Sequence, residues 1–307
     1  MSTRQASKLE DLPQEELKSF FDNFDVILTD CDGVIWIENN VITGAPMLLN
    51  QLRDNGKKVF FVTNNSTKTR EEFVNKAKGM GIECDINEVM STSYLAASYL
   101  KSLNFKSKVY IVGSSGISKE LELVGIESIG VGPDVLNVPL NRYLDNYTED
   151  PEVGAVIVGF DQHISYPKMM KAATYINQPN CLFIATNTDE RFPREGSYVI
   201  PGSGAIVKAI ETCAGKEPVL MGKPGTYIYD ALKKLCDIDP KRTLMIGDRC
   251  NTDILLGTRC GFQTLLVLTG VTRLEEVENW KKSTKQSDLD LVPDFVTHSI
   301  GDLLKYL

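Results

Sequence analysis

Asp30 and Asp32, in the string Asp30-Cys31-Asp32-Gly33-Val34, stand two residues apart at the end of the apolar run Phe24 to Thr29. Two carboxylates at that spacing, with a glycine that lets the chain turn, can share one reaction. One attacks as a nucleophile while the other carries a proton to or from the leaving group. The same residues also make an ordinary turn closing a strand, so the pair alone does not decide. Thr63-Asn64-Asn65-Ser66 follows a second apolar run, Lys58 to Val62, and offers a hydroxyl, two amides and backbone N–H groups. Neutral donors of this kind hold phosphate oxygens, although they equally cap a helix. In Gly222-Lys223-Pro224 a lysine sits between a glycine and a proline ahead of a helical segment. Its point charge can offset phosphate and carboxylate charge, although most lysines are simply solvated. The last cluster, Gly247-Asp248-Arg249-Cys250-Asn251-Thr252-Asp253, follows the run Thr243 to Ile246. Asp248 can reach a hard cation through oxygen, and Asp253, in the next helical turn, can support it from behind.

Each cluster has a bland explanation taken singly. Four groups suited to phosphate or metal at four strand ends are hard to assign to chance. Together they could hold a phosphate group, whose oxygens gathered beside several carboxylates would demand a divalent cation and a lysine.

The elements that position these residues follow from hydrophobic patterning. Short apolar runs that end at polar residues or glycine, each followed by a helix-length segment, mark a parallel α/β sheet with buried strands. After Phe24 to Thr29 and Lys58 to Val62 comes a polar helix over about Thr69 to Gly79, and the region Asn87 to Lys101 reads as a further helix. A second series begins at Val109 to Val112, continues through Val153 to Gly159 and Met169 to Ile176, and ends near Leu182 to Ala185. Beyond the glycine-rich turn Pro201 to Gly204 come a helix, the strands Thr243 to Ile246 and Thr264 to Leu268, and a last strand and helix. The expected fold is α/β, a Rossmann-like parallel-sheet core interrupted by a large inserted α/β cap domain. The core is placed at residues 1–103 and 204–307 and the cap at 104–203. Open sheets of this type carry their sites past the carboxyl ends of strands, where all four clusters fall.

Bulk properties narrow the class. At 307 residues, 42% hydrophobic and 24% charged, the chain has the composition of a soluble globular protein with room for two domains. A net charge of −8 argues against nucleic acid as a partner. Seven cysteines, odd in number and never spaced C-x-x-C, disfavour a disulfide framework or a zinc site. The N-terminal segment MSTRQASKLEDLPQEELKSFF lacks an apolar core, and no run approaches the length of a membrane span. The expectation is a cytoplasmic protein with no membrane partner.

Taken together, the strings DCDGVIW, FVTNNSTKTR, GKP and GDRCNTDILLG resemble the four motifs of the haloacid dehalogenase superfamily of phosphohydrolases, in order and spacing across essentially the whole chain. Within it they look like the 4-nitrophenylphosphatase and phosphoglycolate phosphatase group, to which pyridoxal phosphate phosphatases are close. The resemblance implies a magnesium-dependent phosphatase acting on small-molecule phosphate monoesters through an aspartyl-phosphate intermediate. It implies that Asp30 is nucleophile and metal ligand, and that Asp32 is the acid and base, its main-chain carbonyl also touching the metal. Thr63, Asn64 and Asn65 would bind the phosphoryl group and Lys223 would stabilise it. Asp248 would complete the magnesium site, with Asp253 in support. Caps of this type often pair, which implies a homodimer through the cap, a point on which the residues themselves are silent.

Dehalogenases of the superfamily need neither Asp32 nor Asp248, and the phosphate-driven pumps place threonine where Asp32 stands. A protein phosphatase on the same fold and a non-enzymatic phospho-acceptor module are the competing readings. Receiver modules of the latter kind carry their acceptor on a later strand. Substrate choice is assigned to the loop Asn187-Thr188-Asp189-Glu190-Arg191-Phe192-Pro193, where Arg191 could bind a second anionic group and Phe192 could pack on a carbon skeleton. Both could equally anchor the loop. Cys31, between the two aspartates, is a candidate for oxidative control, yet anionic neighbours should slow its attack.

Overall fold

The computed structural model describes residues 5–191 and 198–307. The strand Val26–Thr29 is buried at all four positions, as a strand covered on both faces must be. It pairs in parallel with Lys58–Thr63 on one side and Thr243–Gly247 on the other. Among the described residues seven strands form this sheet, in the order Ser7–Lys8, Phe295–Thr297, Gln263–Val267, Thr243–Gly247, Val26–Thr29, Lys58–Thr63, Val89–Ser91. From Val26–Thr29 the chain builds outward in one direction, then returns and builds in the other. Asp30 therefore follows the strand at which the winding reverses, the position where doubly wound sheets open a crevice.

Register then sets the levels of the site. Thr29 lies opposite both Phe61 and Ile246, so Asp30 leaves the sheet alongside Val62 and Gly247. The bond from Asp30 N–H to the Ile246 carbonyl, 2.8 Å, carries the pairing one residue further. Helices cover the sheet through apolar faces. Ala45–Asp54, for example, buries Leu48, Leu49 and Leu52, spaced to form one stripe.

A second, five-stranded parallel sheet has the order Val219–Leu220, Leu182–Ala185, Val153–Val158, Lys108–Val112, Ser128–Ile129. Its core gathers Val112, Val156, Val158, Phe183 and Ala185 with Ile176 and Ile210 from the helices Tyr166–Asn177 and Ser203–Ala214. The chain divides into two compact units. One contains Met1–Thr63, Glu71–Met90 and Lys223–Leu307, and the other contains Asn64–Arg70 and Ser91–Gly222.

The continuous helix expected over Asn87 to Lys101 is corrected. A 3-10 turn, Ile86–Glu88, precedes the strand Val89–Ser91, and the helix is Thr92–Ser102. Asp85 accepts from Asn87 N–H at 2.9 Å while Glu88 accepts from Asp85 N–H at 2.7 Å, a capping box closed on a single turn. That box mimics a helix start in the sequence. The true helix begins where Ser91 Oγ accepts from Tyr94 N–H.

Candidate active site

Lys223 is the hub of the first unit's polar interior. Its Nζ lies 2.6 Å from Asp30 Oδ1 and 2.8 Å from Asp253 Oδ1, and it donates to the Val62 carbonyl at 2.8 Å. Only 2% of its side chain is exposed. Burial disfavours the ammonium, but Asp253 and Asp30 outweigh that cost and hold its pKa above the usual lysine value. This lysine is a fixed charge.

Asp253 belongs to the π-helical turn Cys250–Ile254 that follows the strand end. Its Oδ2 accepts from the N–H groups of Asp248 and Arg249, at 3.2 and 3.1 Å. Both carboxylate oxygens are thus engaged, one by Lys223 and one by the turn that carries Asp248. Asp248 itself is 3% exposed. Its Oδ2 accepts from Val271 N–H at 2.8 Å, and its carbonyl accepts from Thr272 N–H at 2.9 Å. Oxygen atoms of Asp30, Asp248 and Asp253 all lie within 4.8 Å of one another. The space is closely fitted: a Cβ on Gly33, which has φ +89°, would come within 2.7 Å of Asp248 Oδ2, and one on Gly270 within 1.7 Å.

Burial pushes the Asp30 carboxyl up, against the pull of Lys223. Burial, then the charges of Asp30 and Asp253, push Asp248 well above the usual carboxylate range. Asp253 is pushed up to about 6, again chiefly by burial. Three carboxyls share one ammonium, so full ionisation leaves an excess of negative charge for a cation to offset. All the donors are oxygens, the set a hard divalent cation prefers, so the residues fit magnesium.

Asp32 is oriented by Trp36, whose indole Nε1 donates to Asp32 Oδ1 at 2.9 Å. Trp36 is 2% exposed, so its N–H must find an acceptor. The turn between them is tied by Gly33 N–H to the Trp36 carbonyl, 2.7 Å, and by Thr269 Oγ1 to the Gly33 carbonyl, 2.6 Å. Thr63 ends its strand buried, at 5% exposure.

Of the residues singled out in the sequence, Asp30, Lys223, Asp248 and Asp253 are brought together directly. Asn64 and Asn65 belong to the second unit. Asn65 Oδ1 accepts from the N–H and hydroxyl of Thr67, at 2.8 and 2.7 Å, closing a local turn. Arg191 is exposed and pairs in an isolated antiparallel bridge with Pro201. Phe192 lies outside the described residues. Trp36, Thr269 and the Gly270-Val271-Thr272 segment were not anticipated. The signal available for the last was another buried strand, Gln263–Val267, ending at polar residues and a glycine.

Cys31 is buried, and its thiol is held well above the ordinary value by burial and then by Asp30 and Asp32. We expect iodoacetamide at neutral pH to label the exposed Cys213 in the native protein and leave Cys31 unmodified. Mass mapping of the alkylated chain checks this. Early labelling of Cys31 would instead support redox control.

A model described as haloacid dehalogenase-like hydrolase matches residues 108–261, another of the same description matches 27–127, and a HAD-hydrolase-like model matches 220–303. Over 313 aligned residues the chain is 41% identical to the glycerol-3-phosphate phosphatase of Mus musculus, covering 96% of this chain and 95% of that one. The chain belongs to the haloacid dehalogenase-like hydrolase family. It is 39% identical to phosphoglycolate phosphatase 1A, chloroplastic, of Arabidopsis thaliana, covering 94% of this chain and 79% of that one. The p-nitrophenyl phosphatase structure from Archaeoglobus fulgidus superposes with a TM-score of 0.75 at 30% identity, covering 93% of this chain and 100% of that one. This haloacid dehalogenase-like hydrolase is a phosphoric monoester hydrolase. A protein phosphatase and a phospho-acceptor module find no support among these relatives. No helix among the described residues is long and apolar enough to cross a membrane.

Proposed function

We propose that the chain hydrolyses phosphate monoesters of small metabolites in a magnesium-dependent reaction through an aspartyl phosphate on Asp30. The observation that carries this reading is the fixing of Asp30 by Lys223, 2.6 Å away, beside the buried carboxylates of Asp248 and Asp253. A carboxylate so held has one oxygen anchored and the other available for attack.

In the first step a carboxylate oxygen of Asp30 bonds to phosphorus as the ester P–O bond breaks, and Asp32 gives its proton to the departing alkoxide. In the second, water bonds to phosphorus and passes a proton to Asp32. The bond to Asp30 breaks, and inorganic phosphate leaves with the nucleophile restored. Trp36 keeps Asp32 aimed through both steps. Thr63, Asn64 and Asn65 are assigned to the phosphoryl oxygens, and Lys223 offsets their charge. Magnesium would be held by Asp30 and Asp248, with the Asp32 carbonyl, and when bound supplies positive charge against the phosphoryl oxygens. Asp253 orients Lys223 and the Asp248 turn. An assay with 4-nitrophenyl phosphate, with and without magnesium, tests the reading, and no turnover under either condition would end it.

Selection among esters is assigned to the second unit, as the cap expected from the sequence. The relatives are named for glycerol-3-phosphate and phosphoglycolate, so candidate substrates are short polyol and hydroxyacid phosphates, with pyridoxal phosphate also to be tried. Arg191→Ala is expected to lower kcat/KM for phosphoglycolate about tenfold, the scale of one charge-assisted contact to its carboxylate, and to leave 4-nitrophenyl phosphate nearly unchanged. An equal fall for every substrate would make Arg191 a structural residue of its loop.

A further inference from the structure

Asn64 is enclosed in a ring of side chains that the steps above do not use. Its Nδ2 donates to both carboxylate oxygens of Asp189, at 3.2 and 3.3 Å. The main-chain N–H of Asp189 donates to Asn187 Oδ1 at 3.1 Å, and Asn187 Nδ2 donates back to the Asn64 carbonyl at 2.7 Å. Asn64 is thereby gripped at side chain and main chain by residues 125 and 123 positions away. Thr92 Oγ1 adds a second donor to the same carbonyl at 3.1 Å.

The loop that grips Asn64 is itself anchored. Gly204 N–H donates to the Asp189 carbonyl and Gly202 N–H to the Glu190 carbonyl, each at 2.9 Å, at the start of the helix Ser203–Ala214. Asn187 is 4% exposed, so its amide must be satisfied within this ring. An amide bound by a carboxylate is a charge-assisted contact, stronger than a neutral pair and demanding in direction. Asp189 thus restrains the residue that directly follows Thr63 in the chain.

We propose that Asp189 is a positioning residue for phosphoryl binding: acting through the Asn64 amide, it holds Asn64 in place for whatever phosphate ester is bound. This rests on the assignment of Thr63 and Asn64 to the phosphoryl oxygens. It separates two functions within one loop. Arg191 discriminates between esters, whereas Asp189, working through a group common to every substrate, affects all of them alike.

The test measures kcat and KM for 4-nitrophenyl phosphate, glycerol-3-phosphate and phosphoglycolate, and inhibition by inorganic phosphate. The proteins are the full-length chain, Asn64→Ala, Asp189→Ala, their double variant and Asp189→Asn. Asp189→Ala is expected to lower kcat/KM by one common factor, roughly 10- to 100-fold, the scale of a misplaced binding group, and to weaken phosphate inhibition in parallel. The double variant should be no worse than the poorer single one, because both remove the same link. Asp189→Asn should recover most of the loss, since its amide oxygen still accepts from Asn64. Independent, multiplying losses, a substrate-dependent effect, or no recovery in Asp189→Asn would overturn the proposal. Normal phosphate inhibition in Asn64→Ala would overturn both the link and the role given to Asn64. Weakened inhibition there beside wild-type behaviour in Asp189→Ala would overturn the link alone. Thermal unfolding establishes that each variant folds, and if Asp189→Ala does not, Asp189→Ser takes its place in the cycle.

Discussion

Asp30→Asn is expected to lose turnover by about 10⁴-fold or more, the order seen when a covalent nucleophile is removed, while keeping its fold. Asparagine matches the carboxylate in shape but does not attack phosphorus. Its amide oxygen can still accept from Lys223 Nζ, which keeps its other bonds to Asp253 and the Val62 carbonyl. The substitution also removes one of three like charges that burial already disfavours. The metal-free variant should therefore unfold at a temperature no lower than the parent's, an outcome unlike that of most substitutions at buried polar sites. Asp32→Asn should behave differently. With 4-nitrophenyl phosphate, whose leaving group needs little proton assistance, it should still form phosphoenzyme and then fail to hydrolyse it. Intact-mass measurement after rapid quench distinguishes the two, with an added phosphoryl group in Asp32→Asn and none in Asp30→Asn. Activity beyond a trace in pure Asp30→Asn would remove the nucleophile assignment.

Much of this arrangement was legible because parallel strands buried on both faces read as unbroken apolar runs, and each run ends where a polar cluster begins. Phe24 to Thr29 and Thr243 to Ile246 announced Asp30 and Asp248 in this way, and the register Thr29 opposite Ile246 turned two sequence positions into one site. Contacts between such ends were harder to read. Nothing near Lys223 says that its ammonium joins Asp30 to Asp253, because the partners are chosen by strand order rather than by local spacing. The ring of Asn64, Asn187 and Asp189 is less legible still, since Asn64 lies 123 and 125 residues from its two partners. Local signals also misled: the box formed by Asp85 and Glu88 imitates a helix start, and the three-residue strand Val89–Ser91 behind it is too short to show a period. Trp36 stood within the DCDGVIW string, but its role required seeing that a buried indole N–H had Asp32 as its acceptor.

Chelation is expected to abolish activity and magnesium to restore it, while calcium should inhibit, because its longer and more variable coordination spoils in-line attack. The electrostatics add a second, activity-independent readout. Carboxyls whose pKa is raised by folding bind more protons in the native state than in the unfolded one, so their contribution to stability is fully present below the unfolded pKa. It is lost as pH rises through the folded value. For Asp253 that window runs from about 4, the ordinary aspartate value, to about 6, and Asp30 and Asp248 shift in the same direction. The metal-free protein should therefore lose melting temperature across this range. A divalent cation competes with protons for the same oxygens, so magnesium should stabilise little at pH 4.5 and strongly at pH 7.5. At a hundredfold excess over Kd the gain is about 2.7 kcal/mol, a shift of several degrees for a chain of this size. Asp248→Ala should lose most of that shift and raise the magnesium requirement sharply or end turnover. Asp253→Ala should change the magnesium requirement less and instead loosen Lys223, which loses its 2.8 Å partner. Calorimetry across pH, with magnesium and with chelator, decides the point: a magnesium shift that is absent at pH 7.5, or larger at pH 4.5, would mean that Asp30 and Asp248 do not hold the metal.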